Sequence, residues 1–273
     1  MKHRFAFRPR FQMCPKFPSS SRPGSIIFSG MKHSLLITLA AALLTMTGCV
    51  CQNSTKATAP ANTLTRAEKQ AGWQLLFDGQ SLAGWHNFKK EGVRPGWQVK
   101  DGALVCADPH NAGDLVTSNQ FGAFELELDY NISEGGNSGI IFHITEEGGA
   151  VWATGPEFQL EDNAKAADTQ RCGWLYALYQ PPIDDKTGKT LDATKPAGEW
   201  NHVRLLVTPK KCVHEINGVK YFEYVIGSDD FNARVAKSKF SRMPLFAKSP
   251  AGFIALQGDH GAVSFRNIKV RPL

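Results

Sequence analysis

The chain of 273 residues carries 31 basic and 25 acidic side chains, a formal charge of +6, but seven of the basic residues and none of the acidic ones fall within residues 1–48. Residues 49–273 are close to neutral, 24 basic against 25 acidic side chains, so no basic surface recommends a nucleic acid or an anionic membrane as partner. The six cysteines show no CxxC and no Cys/His metal spacing, which argues against a structural zinc site.

Residues 34–46, SLLITLAAALLTM, form an uncharged apolar run behind Lys32 and His33. A membrane-spanning helix needs about 20 such residues, so this run is too short for a span. A basic flank, a short apolar core and a small-residue ending make residues 31–48 a secretory signal peptide. Its end, Met46-Thr47-Gly48-Cys49, resembles a bacterial lipobox, which implies diacylation of Cys49. Residues 1–30 precede Met31, which looks like a second start, contain no acidic residue, and read as an over-extended start. Residues 49–62 are small, polar and rich in Ala, Thr and Pro, with nothing to bury, as in a flexible tether. Residues 63–273 then make one domain with a sizeable core. The expected location is the cell envelope, with the lipid as the only membrane contact.

Thr65-Arg66-Ala67-Glu68 fits a helix capping box that ends at Gly72. Beyond it the pattern turns to period two. Residues 97–100 and 103–106 flank an Asp101-Gly102 turn, and residues 124–130 alternate apolar with acidic, as in a half-buried strand. Residues 138–144 are a more continuous apolar strand, and residues 157–160 a short alternating one. Residues 212–216 and 219–224 form a hairpin about Asn217-Gly218, with residues 200–207 before it. Residues 253–257 and 262–270 close the chain as strands. Short strands, Gly-rich turns and almost no helix predict an all-β antiparallel sandwich or jelly roll. Residues 163–198 have no clear period and read as a long functional or disordered excursion. Its Asp184 and Asp185 offer carboxylates to a Ca²⁺, although a solvated acidic loop is the simpler reading; no cofactor is called for. Cys106 and Cys212, in strand contexts, read as small buried hydrophobes.

Several separated segments resemble one family. They are Gly72-Trp73 with residues 76–85, LFDGQSLAGW; Gly136-Asn137-Ser138-Gly139-Ile140; Gly155-Pro156-Glu157-Phe158-Gln159-Leu160; Gly198-Glu199-Trp200-Asn201; Asn217-Gly218; and Gln257-Gly258-Asp259-His260-Gly261 followed by Phe265-Arg266-Asn267-Ile268. Together they are similar to the 3-keto-disaccharide hydrolase domain. The resemblance implies a concanavalin A-like jelly roll and cleavage of glycosides already oxidised to a ketone at C3. Removal of the acidified C2 proton, stabilisation of the enolate and expulsion of the C1 aglycone would precede readdition of water. That route asks for a base, an enolate stabiliser and an acid.

Glu157 and Gln159, two apart on one strand, share a face and offer a carboxylate and an amide for acid/base and sugar-binding work; the alternative is a polar edge strand. Asp162 reads as extending the same alternation, or as opening a turn with Asn163. His143 shares a face with Ile141 and would look into a cleft, or is a satisfied core histidine. His260, in a Gly-flanked loop past a strand, is the first choice for general base or acid. Gln257 would bind a sugar hydroxyl. Arg266 would polarise a keto oxygen, or pair with a buried carboxylate. Trp152 and Trp174, in looser segments, suit stacking on a sugar ring. A non-catalytic carbohydrate-binding module and a structural envelope lipoprotein are the competing readings of the same chain.

Overall fold

The computed structural model describes residues 60–273 apart from Thr169; the leader, Cys49 and the expected tether up to residue 59 lie outside the described residues. The first helix, α1 (Arg66–Gln70), starts at the expected capping box: Glu68 N donates to Thr65 Oγ1 at 3.2 Å and Thr65 N to Glu68 Oε2 at 2.7 Å. Strands follow as β1 (Gln74–Leu75), β2 (Trp85–Asn87), β3 (Trp97–Lys100), β4 (Ala103–Cys106), β5 (Leu115–Thr117), β6 (Phe124–Ile132), β7 (Asn137–Ile144), β8 (Glu157–Glu161), β9 (Asn201–Val207), β10 (Cys212–Ile216), β11 (Val219–Tyr224), β12 (Phe253–Leu256) and β13 (Val263–Pro272). A helix absent from the strand-dominated reading, α2 (Asp229–Lys237), lies between β11 and β12. It is capped by Ser228 and buries Phe231.

The strands form two antiparallel sheets, β11-β10-β9-β6-β13-β4-β3 with β1 paired to β13, and β2-β5-β12-β7-β8. This is the expected all-β, concanavalin A-like jelly-roll sandwich. Alternation decides which side chains meet between the sheets. Phe124, Leu126, Leu128 and Tyr130 of β6, with Val203, Leu205 and Val207 of β9, face Ile140 and Phe142 of β7 and Phe158 and Leu160 of β8 in one core. Both expected hairpins form, and their Asp101-Gly102 and Asn217-Gly218 pairs take positive φ (50° and 72°, 51° and 79°), as a tight twist-matched turn requires. Cys106, Cys172 and Cys212 are buried free thiols.

The outer face of the larger sheet is a charge ladder. Glu125 of β6 accepts from Arg204 and Arg271, and Lys269 pairs with Glu127 and Glu68. The fold also takes in the last residue assigned to the tether. Asn62 is 8% exposed, exchanges hydrogen bonds with Asn267 (2.7 and 2.8 Å) and donates to Gly102 O at 2.7 Å.

Candidate active site

On β8, Phe158 and Leu160 enter the core, so Glu157, Gln159 and Glu161 point away from it on the outer face of the smaller sheet. Register carries this face across the sheet. Ala255 of β12 is opposite Val116 and Ile141, Ile141 opposite Glu157, and Gly139 opposite Gln159. One step further along, Gln257 N donates to Gly139 O at 3.0 Å, which places Gln257 beside Gly139 and level with Asp114. On the other edge, the bridge Phe158↔Leu175 and the bond Gln159 N to Trp174 O (3.0 Å) set Trp174 beside Gln159, and Tyr176 N to Glu157 O (3.0 Å) sets Tyr176 beside Glu157. Asp114, Gln257, Gly139, Gln159 and Trp174 therefore form one transverse row. At about 4.8 Å per strand it spans roughly 19 Å, and an apolar row of Val116, Ala255 and Ile141 runs alongside it.

Among the described residues, eight buried side-chain polar atoms lack a hydrogen-bond partner. Seven belong to this face: Asp114 Oδ1, Gln257 Oε1, Gln159 Oε1 and Nε2, Glu161 Oε1 and Oε2, and Trp174 Nε1. Buried polar groups in folded proteins are ordinarily paired, and leaving each one unpaired costs about 1–3 kcal/mol. Their gathering on one face marks a surface shaped for a polyhydroxylated or otherwise polar ligand.

Gly139 makes room for the central carboxyl. A Cβ built at Gly139 would lie 2.2 Å from Glu157 Oε1, so the Glu157 side chain leans over the glycine into the middle of the row. The obstructing atoms are the end of a flexible side chain rather than backbone. Gly139→Ala is thus expected to fold normally, with a melting temperature close to that of the parent, while displacing the carboxyl and lowering turnover by about 10²-fold or more. A variant with parental kcat would show that Glu157 need not lie there.

Burial pushes Glu157 up to about 8; the charges of Asp114 and Asp168 add to the rise, and Lys239 and His260 oppose it. Burial likewise takes Asp114 up to about 7, with Asp259 adding, and Glu161 up to about 7, against Arg171, whose Nη1 stands 3.6 Å from Glu161 Oε1. His260 lies in the loop whose backbone receives Asn137 N at 3.3 Å. Its Nδ1 is hydrogen-bonded to Asp259 Oδ1. That bond holds His260 above its usual range and Asp259 below its own, and leaves Nε2 as the free ring nitrogen. Lys239 Nζ lies over the Tyr176 ring (4.3 Å) and 5.9 Å from the ring of Trp152, an exposed tryptophan at the rim.

Glu157, Gln159, Gln257, Trp174 and His260 thus come together. Three expected residues do not. Arg266 is on the outer face of the other sheet, donating to Asp129 Oδ2 at 3.3 Å and stacked 4.1 Å from Trp200; of its two readings, partner of a carboxylate is the one realised. His143 takes φ 54° at a register shift between β7 and β12. This bulge breaks the alternation, so His143 does not follow Ile141 outward. Its Nε2 meets Gly122 O at 2.8 Å beside a separate cavity of about 300 Å³. Period two from Glu157 lands on Glu161, not Asp162, whose carboxylate instead accepts from Gly135 N (2.9 Å) and Ala164 N (3.1 Å), the turn opening. Asp184 similarly closes a turn on Lys186 N and Thr187 N.

Asp114 and Glu161 are the site carboxyls that reading the sequence left out. Glu161 was signalled by plain parity. Asp114, just ahead of a three-residue strand, carried no such signal. The 163–198 excursion reaches the site through its pairing with β8, which is anchored from beneath. There His214, buried and stacked 4.3 Å from Phe158, contacts Gly173 O through Nδ1 at 3.0 Å.

The family profile described as a 3-keto-alpha-glucoside-1,2-lyase-like domain matches residues 72–271. A 3-keto-disaccharide hydrolase of Bacteroides thetaiotaomicron is 30% identical over 231 residues, covering 74% of this chain and 79% of that protein. A crystallised candidate glycosyl hydrolase of Parabacteroides distasonis superposes with TM-score 0.70 at 32% identity, covering 78% of this chain and 99% of its own. A second from the same organism gives 0.56 at 28% identity, over 74% and 99%. With a match that runs the length of the sandwich, the chain belongs to the 3-keto-disaccharide hydrolase family.

Proposed function

We propose that this chain cleaves the glycosidic bond of 3-keto-disaccharides and related 3-keto-glycosides by acid/base-assisted elimination followed by hydration. The observation that carries the reading is the pairing, on one sheet face, of a carboxyl that keeps its proton to about pH 8, Glu157, with a histidine whose second nitrogen is held by a carboxylate, His260 on Asp259. In this scheme His260 Nε2 takes the C2 proton and the C2–H electron pair becomes the C2–C3 double bond of the enolate. Collapse of the enolate expels the C1–O electron pair, and Glu157 gives its proton to the departing oxygen. The reverse sense then serves hydration: the Glu157 carboxylate draws a proton from the water that adds at C1, and protonated His260 returns a proton to C2. Gln159, Gln257 and Trp174 supply hydrogen-bonding atoms for sugar hydroxyls along the row.

The test is incubation of the domain with 3-keto-sucrose, 3-keto-trehalose or 3-keto-lactose and assay of the released sugar. The parent disaccharides serve as controls. Cleavage of the keto sugars alone supports the proposal. Binding of unoxidised sugars with no turnover of any keto sugar would replace it with the carbohydrate-binding reading. The proposed setting is the cell envelope, with the protein anchored through an acylated Cys49. In cells treated with globomycin the uncleaved precursor is expected to accumulate, and its failure to do so would remove the anchor from the scheme.

A further inference from the structure

With Arg266 on the other sheet, the elimination proposed above lacks the group meant to hold the enolate oxygen. The requirement is strict, because the negative charge that develops at O3 needs a donor aimed at it in a site that excludes water. Lys239 stands beside Tyr176 and Trp152, Arg171 sits against Glu161, and Arg94 is held by Asn111. The charged groups that act on His260, at the end where C2 has to lie, are instead carboxyls: Asp259, Glu157 and Asp114.

Asp114 is at that end. It directly precedes β5, and the pairing of Leu115 with Leu256 makes it level with Gln257. Its backbone is clamped, since Asp114 O receives both Asn87 Nδ2 (3.0 Å) and Phe88 N (3.0 Å). Its Oδ1 is buried without a partner. The groups that act on its carboxyl are Asp259 and His260 from the loop after β12 and the Gly258 amide. Glu157 of β8 feels its charge in turn, so all four side chains share one electrostatic cluster. An ionised carboxylate there would repel an enolate. A carboxylic acid would instead present an O–H from a buried, otherwise unpartnered position.

We propose that Asp114 is a third catalytic residue, whose neutral carboxylic acid donates a hydrogen bond to the C3 oxygen of the keto sugar and stabilises the enolate. The proton stays on Asp114 throughout; only His260 and Glu157 exchange protons with substrate, so the balance of the elimination is unchanged. Burial keeps the acid protonated to about pH 7, and a bound sugar, by excluding more water, extends that range. The inference rests on the 3-keto reading, and its experiment separates the two.

The probe is 3-keto-1,5-anhydroglucitol, which has no leaving group and so reports enolisation alone, as exchange of its C2 proton in deuterated buffer followed by proton NMR. The wild-type domain is expected to catalyse exchange. Asp114→Ala should slow it by about 10²–10³-fold, the usual cost of one oxyanion donor. Asp114→Asn, a neutral amide that still donates, should recover most of it, and Arg266→Ala should match wild type. Exchange at the wild-type rate in Asp114→Ala, or an Asp114→Asn variant no better than Asp114→Ala while both melt like the parent, overturns the assignment. If wild type itself gives no exchange, the 3-keto reading falls. Asp114 is then judged by the carbon-13 shift of its carboxyl: a protonated signal at pH 6 keeps the donor, and an ionised one removes it.

Discussion

Glu157→Gln should lose about 10²–10⁴-fold in turnover, the usual worth of a general acid, and at the same time unfold at a higher temperature. The second effect comes from burial. In the unfolded chain Glu157 ionises near 4.5, whereas in the fold it holds its proton to about 8. A raised carboxyl makes its full contribution below the unfolded value and loses stability for the protein as pH climbs from there toward 8, because the unfolded state alone gives up the proton. At pH 7 that penalty is about 3 kcal/mol. Glutamine keeps the shape and the hydrogen-bonding groups without it. Thermal melts of the two proteins at pH 5 and pH 7.5 provide the check. The stabilisation should be small at the lower pH and large at the higher, and equal melting temperatures at both would show Glu157 ionising normally. Function here is maintained against stability, the trade expected at an active site.

A narrow bell in the pH dependence of kcat/KM is the second large effect. In the proposed scheme the rate needs His260 without its proton and both Glu157 and Asp114 with theirs. His260 is held above 6.5 by Asp259 and loses its proton only on the basic side of that value, whereas Glu157 gives its own up at about 8. Asp114 opens the basic limb at about 7 and Glu157 completes it, so the optimum lies between the His260 limb and that of the two carboxyls. Asp259→Asn removes the charge that raises His260, so the acidic limb should move to lower pH and the plateau should widen, at a lower maximal rate because the ring is less basic and less firmly oriented. His260→Ala should remove the acidic limb altogether and cost about 10²–10⁴-fold. An acidic limb that stays in place in Asp259→Asn would disconnect the pair from the proton transfer.

The parts of this protein legible in its sequence are those set by local rules. The hairpin at Asn217-Gly218, the capping box at Thr65 and the faultless alternation of residues 124–130 each specify their own structure, and each formed as expected. Glu157 and Gln159 were legible for the same reason, since two residues on a strand must share a face. The losses came where one residue changes the count or where the partner sheet matters. His143 is the additional residue of a bulge, and a single insertion turns every later side chain over. Arg266 points opposite Phe265, and a bulge at Asn267 returns Ile268 to the core, but local pattern does not tell which of two sheets a strand joins, so it could not choose between the two roles open to Arg266. Asp114 reaches the site only through the pairing of β5 with β12, strands about 140 residues apart in sequence.

Asn62 is fastened, through Asn267 and the Asp101-Gly102 hairpin, to the charged outer side of the larger sheet, while the row from Asp114 to Trp174 lies on the outer side of the smaller one. The chain therefore leaves toward its N-terminus from the back of the sandwich. A bulky group fixed at residue 60 would thus start with the two sheets and their core between it and that row.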